Sequence, residues 1–299
     1  MNPFIGEIAA VFTALCWSFT SIFFTFACKA VGSNVVNRVR LLFATILLLV
    51  THTIIYGAPI PIQADAYQWT WLGISAIIGL PIGDAMLFRA FVLVGTRISM
   101  LLLSLVPVMS TLLAWFFLNE KLGTFELLAI ALTVGGIAWV VLERNNGNEH
   151  IDRRTFVIGI LMGLGGALGQ SIALITAKKG LYPEFPALSA NLMRILVGTI
   201  VLWIIEIFSG KINESFRFWQ NQKARWYLIA GAVVGPFLGI WLSLVAIKYA
   251  HVGIASTLMA LPPLLLIPLT HFFFGDKITL RSVAGTVVAT AGVAIIFLV

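Results

Sequence analysis

Residues 98–121 read ISMLLLSLVPVMSTLLAWFFLNEK, and residues 254–277 read IASTLMALPPLLLIPLTHFFFGDK. The two apolar stretches align without a gap at an offset of 156 positions. The residues that they share include Pro107/Pro263, Phe116/Phe272, Phe117/Phe273 and Lys121/Lys277. Leucines coincide by chance in apolar segments, but a matched proline and a matched lysine rarely do. The two stretches therefore indicate an internal duplication.

The duplication extends over most of the chain. Residues 79–138 align with residues 235–294 at the same offset. Nearer the start of each half the offset is 154 and then 153, and the matched polar pairs there are Asn37/Asn191, Arg40/Arg194, Thr45/Thr199 and Ser18/Ser171. The sequence thus predicts two repeats, residues 1–143 and residues 155–299, joined by a polar linker at residues 144–154.

The composition indicates which solvent surrounds the chain. Of the 299 residues, 60% are hydrophobic and only 10% are charged, and the mean hydropathy is +1.02. A soluble domain carries about 25% charged residues and needs a polar surface, which this chain cannot provide. The composition argues against a soluble enzyme, a nucleic-acid-binding protein and a disordered protein, and it places the chain in a lipid bilayer.

Ten segments are long and apolar enough to cross a membrane as helices. They lie at 5–27, 35–56, 70–94, 98–118, 124–143, 155–177, 186–208, 226–248, 252–274 and 279–298. We therefore expect an all-α integral membrane protein with ten transmembrane helices in two five-helix repeats. Because five is an odd number, the second repeat enters the membrane from the opposite side, so the repeats are inverted. Inverted repeats are typical of secondary transporters, whose substrate site lies where the repeats meet.

The basic residues predict the orientation in the cell (inner) membrane. The side that holds the first loop carries thirteen of the 19 lysines and arginines, and the side that holds both termini carries four. The thirteen are Lys29, Arg38, Arg40, Arg97, Arg144, Arg153, Arg154, Lys211, Arg217, Lys223, Arg225, Lys277 and Arg281. Because cytoplasmic loops are enriched in basic residues, this count places both termini outside the cell.

The fourth predicted helix of each repeat ends in a motif of the form Pro-x8–12-Gly/Asn-Glu/Asp-Lys. The motif occupies Pro107–Lys121 and again Pro263–Lys277. Together with Trp17-Ser18 in the first helix and Arg40 in the second, it makes the chain resemble the drug/metabolite transporter superfamily, of the EamA type. The resemblance implies a solute carrier whose central cavity opens alternately to each side of the membrane. It also implies cytoplasmic termini, which conflicts with the charge count.

Asp84 is the strongest candidate for a functional side chain. It lies mid-span, just after Pro81 and Gly83, and an unpaired carboxylate at that depth costs at least about 2.5 kcal/mol. Its counterpart in the second repeat is Ile240, so the fold does not require an acid there. The structural alternative is a buried ion pair, and the functional one is proton coupling. Glu206, near the end of a span, is expected to reach the membrane interface.

The predicted substrate site lies between the repeats. Its expected lining residues are Trp17, Ser18, Asp84, Ser104, Gln170 and Trp241. The matched Arg40 and Arg194 either bind a carboxylate or phosphate group of the solute or make structural contacts, each in its own half. Four prolines are expected to interrupt helices and to expose backbone groups that need a cavity or a neighbour, namely Pro81, Pro107, Pro236 and Pro263.

The sparse charges and the aromatic residues of this site favour a neutral or zwitterionic solute, such as an amino acid, aromatic ones included. Broad-specificity drug or metabolite efflux is the alternative within the carriers, and a passive channel or an intramembrane enzyme is the alternative from another class. No catalytic motif, cofactor motif or metal-ligand spacing is evident. The expected partners are a small solute and the bilayer, with proton or exchange coupling and without nucleic acid.

Overall fold

The computed structural model describes residues 4–118, 123–144, 152–181, 185–210, 212–249 and 258–298. Nearly all of the residues in these ranges are helical. Eight of the described helices are long and apolar enough to cross a membrane, and the last two are shorter apolar helices. The all-α membrane class predicted from the sequence is therefore confirmed. Residues 252–257, the first part of the expected ninth span, lie outside the described residues.

The helices of the first half are numbered α1 to α5 in chain order. They are α1 (Phe4–Val31), α2 (Ser33–Tyr56), α3 (Ala66–Leu93), α4 in two parts (Gly95–Leu103 and Val106–Leu118) and α5 (Thr124–Arg144). Within α3, residues Ile78–Gly83 form a wider π-helical turn. A capping box between Asp65 and Gln68 starts this helix, since each side chain bonds the other's backbone N–H.

The second half repeats this order. Its helices are α6 (Arg153–Gly180), α7 (Ala187–Phe208), α8 in three consecutive parts (Gln222–Ala232, Val233–Gly239 and Ile240–Tyr249), α9 (Pro262–Phe274) and α10 (Leu280–Leu298). The middle part of α8 is again a π-helical turn, and it matches the one in α3. Two single-turn helices, Ile212–Ser215 and Arg217–Gln220, lie between α7 and α8.

Matched helices of the two halves pack on each other in antiparallel directions. In α2 and α7, Arg38 near the start of one helix pairs with Glu206 near the end of the other. Between these ends, the hydroxyls of the matched Thr45 and Thr199 lie 2.8 Å apart. A rotation about the membrane normal would make matched helices parallel, so their antiparallel course shows that the repeats are inverted.

The third helix of each half also packs on the first helix of the other half. Helix α3 packs on α6, and its counterpart α8 packs on α1. A Cβ placed on Gly79 of α3 would lie 2.8 Å from Ala173 of α6. A Cβ on the matched Gly235 would lie 2.5 Å from Thr20, which is the residue of α1 that matches Ala173. The absence of a side chain therefore lets both helix pairs approach closely at the equivalent place.

Four charged residues lie where the sequence analysis did not expect them. Arg38 and Arg40 are buried within α2, where they form ion pairs, and Arg97 is buried within α4, so it was wrong to count these three among the loop residues. Ten basic residues remain on that side of the membrane against four, and the bias keeps its direction. The expectation that Glu206 reaches the interface was also wrong, because it is buried against Arg38.

The contact between the matched helices α5 and α10 provides a test of the packing between the two halves. A Cβ on Gly136 would lie 2.6 Å from the backbone N of Ala289, which cannot move away cheaply, whereas one on the adjacent Gly135 would meet nothing within 4 Å. We expect Gly136→Ala to lower the free energy of unfolding by about 1–3 kcal/mol through overpacking. Gly135→Ala should not lower it, since alanine favours a helix over glycine. Thermal unfolding of the purified variants in detergent would measure this, and equal midpoints for the two variants would contradict the packing.

Candidate functional site

The π-helical turn of α3 prepares the place where Asp84 lies. Pro81 inside this turn lacks an N–H group, so the local backbone hydrogen bonds cannot all follow the α-helical pattern. Side chains from two other helices compensate. The amide of Asn37 on α2 donates to the carbonyl of Leu80 at 3.0 Å, and the amide of Gln170 on α6 donates to the carbonyl of Gly79 at 3.1 Å. The widened turn therefore joins α3 to helices of both halves.

Asp84 is the carboxylate at the centre of a buried polar network. Its Oδ2 accepts a hydrogen bond from the guanidinium of Arg40, and its Oδ1 accepts one at 2.6 Å from the amide of Gln170. Arg40 also donates to the side-chain oxygen of Asn37 at 2.9 Å, and its guanidinium lies 4.7 Å from the centre of the Phe88 ring. Each charge in the network thus has a partner of opposite charge and additional polar or aromatic contacts.

This arrangement changes the argument that singled out Asp84. The carboxylate is ion-paired, so the cost of an unpaired carboxylate in hydrocarbon does not apply to it. The structure therefore matches the ion-pair alternative for the contacts of Asp84. Whether it also has a functional role depends on what else surrounds it.

A second guanidinium lies close to the same carboxylate without bonding to it. Arg194 on α7 interacts electrostatically with Asp84, and its Nη2 lies 3.6 Å from the position of a Cβ built on Gly79. Within the part of the chain that the structure describes, Arg194 makes no hydrogen bond or ion pair, and its buried Nε has no partner. Two arginines and one aspartate therefore share this region, which leaves one positive charge uncompensated.

The equivalent region of the second half is apolar. Trp17 on α1 takes the place of Gln170 and packs beside Gly239, with its ring 3.7 Å from the position of a Cβ on that glycine. Ile240 takes the place of Asp84. The nearby Trp241 is 43% exposed and packs edge-on against Phe237, with the ring centres 5.9 Å apart. The two halves thus present different chemistry at matched positions.

The two candidate serines do not join the network. The hydroxyl of Ser18 donates to the carbonyl of Ala14, and the hydroxyl of Ser104 donates to the carbonyl of Leu101, so both bond the backbone of their own helix. Ser104 lies at the break between the two parts of α4.

The four candidate prolines occupy two kinds of position. Pro81 and Pro236 lie inside the matched π-helical turns of α3 and α8. Pro107 and Pro263 lie in the first turn of a helix, just after the break in α4 and at the start of α9 respectively. Proline is tolerated in a first turn because the N–H groups there have no partner within the helix.

Sequence reasoning missed several contacts between α2 and α7. Arg38 pairs with Glu206 at 2.6 Å, and His52 bonds the hydroxyl of Ser189 at 3.0 Å. Sequence analysis identified Asn37, which belongs to the network, only as one of the polar residues matched between the repeats. Among the described residues, no group of three potential ligands could hold a metal ion. One surface pocket is lined by residues outside the network, namely Ala30, Val31, Gln220 and Asn221.

The model of the EamA-like transporter family matches residues 4–142 and again residues 157–298, so the chain belongs to this family and is a membrane solute transporter. A solved crystal structure superposes with a TM-score of 0.64 over 97% of this chain and 95% of the other, at 15% identity, and it therefore shares the fold. No curated protein sequence matches the chain.

The two central arginines should differ in their effect on stability. Arg40→Gln leaves Asp84 as a buried charge without its ion-pair partner, and breaking such a pair costs about 3–5 kcal/mol. Arg194→Gln removes a guanidinium without a hydrogen-bond partner in the described part of the chain, so we expect a change below about 1 kcal/mol. Thermal unfolding in detergent would compare them. The double variant Arg40→Gln/Asp84→Asn is the control and should recover most of the loss, because it leaves neither member of the ion pair without its partner. Equal losses for the two single variants would contradict this account.

Proposed function

We propose that the protein is a secondary carrier for small neutral or zwitterionic solutes, most specifically amino acids, including aromatic ones. Transport proceeds by alternating access to a central site between the two repeats. The observation that carries this proposal is the buried network at the junction of the halves, in which Asp84 bonds Arg40 of the first half and Gln170 of the second. Family membership supports the transporter class, and the network supports the choice of solute.

The charges around Asp84 fit a zwitterion better than a polyanion. Asp84 compensates Arg40, and Arg194 adds one further positive charge. A nucleotide-sugar would need several convergent basic groups for its phosphates, and the described part of the centre offers only these two arginines. A small zwitterion carries one carboxylate and one ammonium group, and these match the cation of Arg194 beside the paired anion of Asp84.

Aromatic rings border the network and favour an apolar side chain on the solute. Arg40 lies over the rings of Phe88 and Phe24, whose centres are 5.3 Å apart. In the second half, Trp17 and Ile240 add apolar surface at the matched positions. The same apolar surface supports broad-specificity efflux of drug-like solutes as a second candidate function, because such solutes need few specific polar contacts.

Proteoliposomes that contain the purified protein test the proposal directly. Each of the twenty standard amino acids, radiolabelled, is offered with and without a pH gradient, and counterflow is measured after preloading with the unlabelled compound. We expect saturable uptake and counterflow for a subset of amino acids. Flux that neither saturates nor shows counterflow would indicate a channel. Transport of apolar dyes without any amino acid would favour the second candidate function.

Asp84 is our proposed coupling residue if a proton gradient drives uptake, because it is the carboxylate that the two arginines and Gln170 share. We expect Asp84→Asn to abolish gradient-driven uptake and to leave counterflow largely intact. The variant Arg40→Gln/Asp84→Asn, which removes both members of the ion pair, controls for loss of folding. Parental gradient-driven uptake by Asp84→Asn would refute the coupling role.

We also propose that both termini lie outside the cell, as the charge count predicts. Asn213 between α7 and α8 and Gln63 before α3 are both exposed, and they lie on opposite sides of the membrane in a ten-helix topology. In a background without cysteines, Gln63→Cys should react with a membrane-impermeant thiol reagent in intact cells, and Asn213→Cys should not. The opposite labelling pattern would place the termini in the cytoplasm.

A further inference from the structure

The two halves carry the same pair of polar residues but satisfy them differently. In the first half, Asn37 bonds both Arg40 and the carbonyl of Leu80, and Arg40 bonds Asp84. In the second half, the matched pair is Asn191 and Arg194. Among the residues that the structure describes, the buried Nδ2 of Asn191 and the buried Nε of Arg194 have no hydrogen-bond partner. The second half therefore contains an incomplete copy of the network.

The missing component is an anion. Helix α3 supplies Asp84 to Arg40, but α8 has Ile240 at the matched position and supplies no carboxylate to Arg194. Asp84 carries a single negative charge, which its ion pair with Arg40 already offsets, so it does not neutralise Arg194 as well. A guanidinium without an anion is unfavourable in a membrane interior, so its retention there calls for a binding partner from outside the chain.

We propose that Arg194, assisted by Asn191, binds the carboxylate of the transported solute. The solute thereby supplies to Arg194 the anion that Asp84 supplies to Arg40. A guanidinium presents its N–H donors in a planar fork that fits the two oxygens of a carboxylate. This assignment rests on the proposed transport function and specifies which chemical group of the solute the site recognises.

Gln170 offers a hydrogen-bond acceptor for the ammonium group of a zwitterion. The Oε1 of Gln170 and the Nη2 of Arg194 both lie 3.6 Å from the position of a Cβ built on Gly79, so the two polar atoms flank the same residue of α3. Gln170 uses its amide N–H groups toward Asp84 and Gly79, and its Oε1 accepts no hydrogen bond within the described residues. An ammonium group next to a bound carboxylate can donate to this oxygen.

Binding of matched ligands to the full-length protein in lipid nanodiscs tests the proposal. The probes are the twenty standard amino acids, the amide of each amino acid that binds, and phenylacetate as a carboxylate without an ammonium group. We expect acids to bind the parent and their amides to bind at least about tenfold more weakly, since a charge-assisted hydrogen bond pair is lost. Arg194→Gln should abolish this discrimination, and Arg194→Lys should retain part of it because the charge remains.

Arg89→Gln is the matched control, because it removes the same charge from an exposed position of α3. It should bind every probe like the parent. Equal binding of acid and amide by the parent would overturn the proposal, as would parental discrimination by Arg194→Gln or no binding of any carboxylate probe.

The test also separates the site from the transport function. If phenylacetate binds through Arg194 but no amino acid is transported, the carboxylate site stands and the amino-acid carrier is wrong. If amino acids are transported and Arg194→Gln binds and transports them like the parent, the carrier stands and the carboxylate site is wrong.

Discussion

Hydrocarbon offers no water to solvate polar groups, and this constraint governs the whole chain. The ion pair between Arg40 and Asp84 follows from it. Removing either charge would leave the other without its ion-pair partner, and each also needs further donors or acceptors. Asn37 and Gln170 provide them while also bonding the carbonyls of the π-helical turn. The same side chains thus stabilise an irregular backbone segment and a pair of charges, which joins three helices from both halves at one place.

Glycine makes this arrangement geometrically feasible. Gly79 and Gly83 on α3 let the backbone of α6 approach closely, and Gly166 and Gly169 do the same from the α6 side. Short distances between backbones are what allow a glutamine on one helix to reach a carbonyl on the next. Because small residues also promote helix association in lipid through close van der Waals packing, the contact that brings the polar groups together stabilises the helix pair by itself.

The sequence predicts the helices, the duplication and the inversion because each leaves a long-range periodic signal. Hydropathy marks the spans, and the matched positions together with an odd helix count define the relation between the halves. Individual contacts leave no such signal. Arg38 and Glu206 are 168 positions apart, and their matched positions hold Leu192 and His52, so no repeat symmetry reveals the pair. Asp84 could be recognised as an acid in a span, but its partner could be identified only after α2 had been placed against α3.

The contact between Thr45 and Thr199 lies on the two-fold axis that relates the repeats, since each residue is the counterpart of the other. Under the alternating access proposed above, exchanging the conformations of the two halves around such an axis would convert an outward-open arrangement into an inward-open one. With identical repeats the two arrangements would have the same intrinsic free energy. On that proposal, any preference of the empty protein for one arrangement arises from positions where the repeats differ, such as Asp84 against Ile240 and Gln170 against Trp17. Divergence between the duplicated halves would then set which side of the membrane the empty site faces.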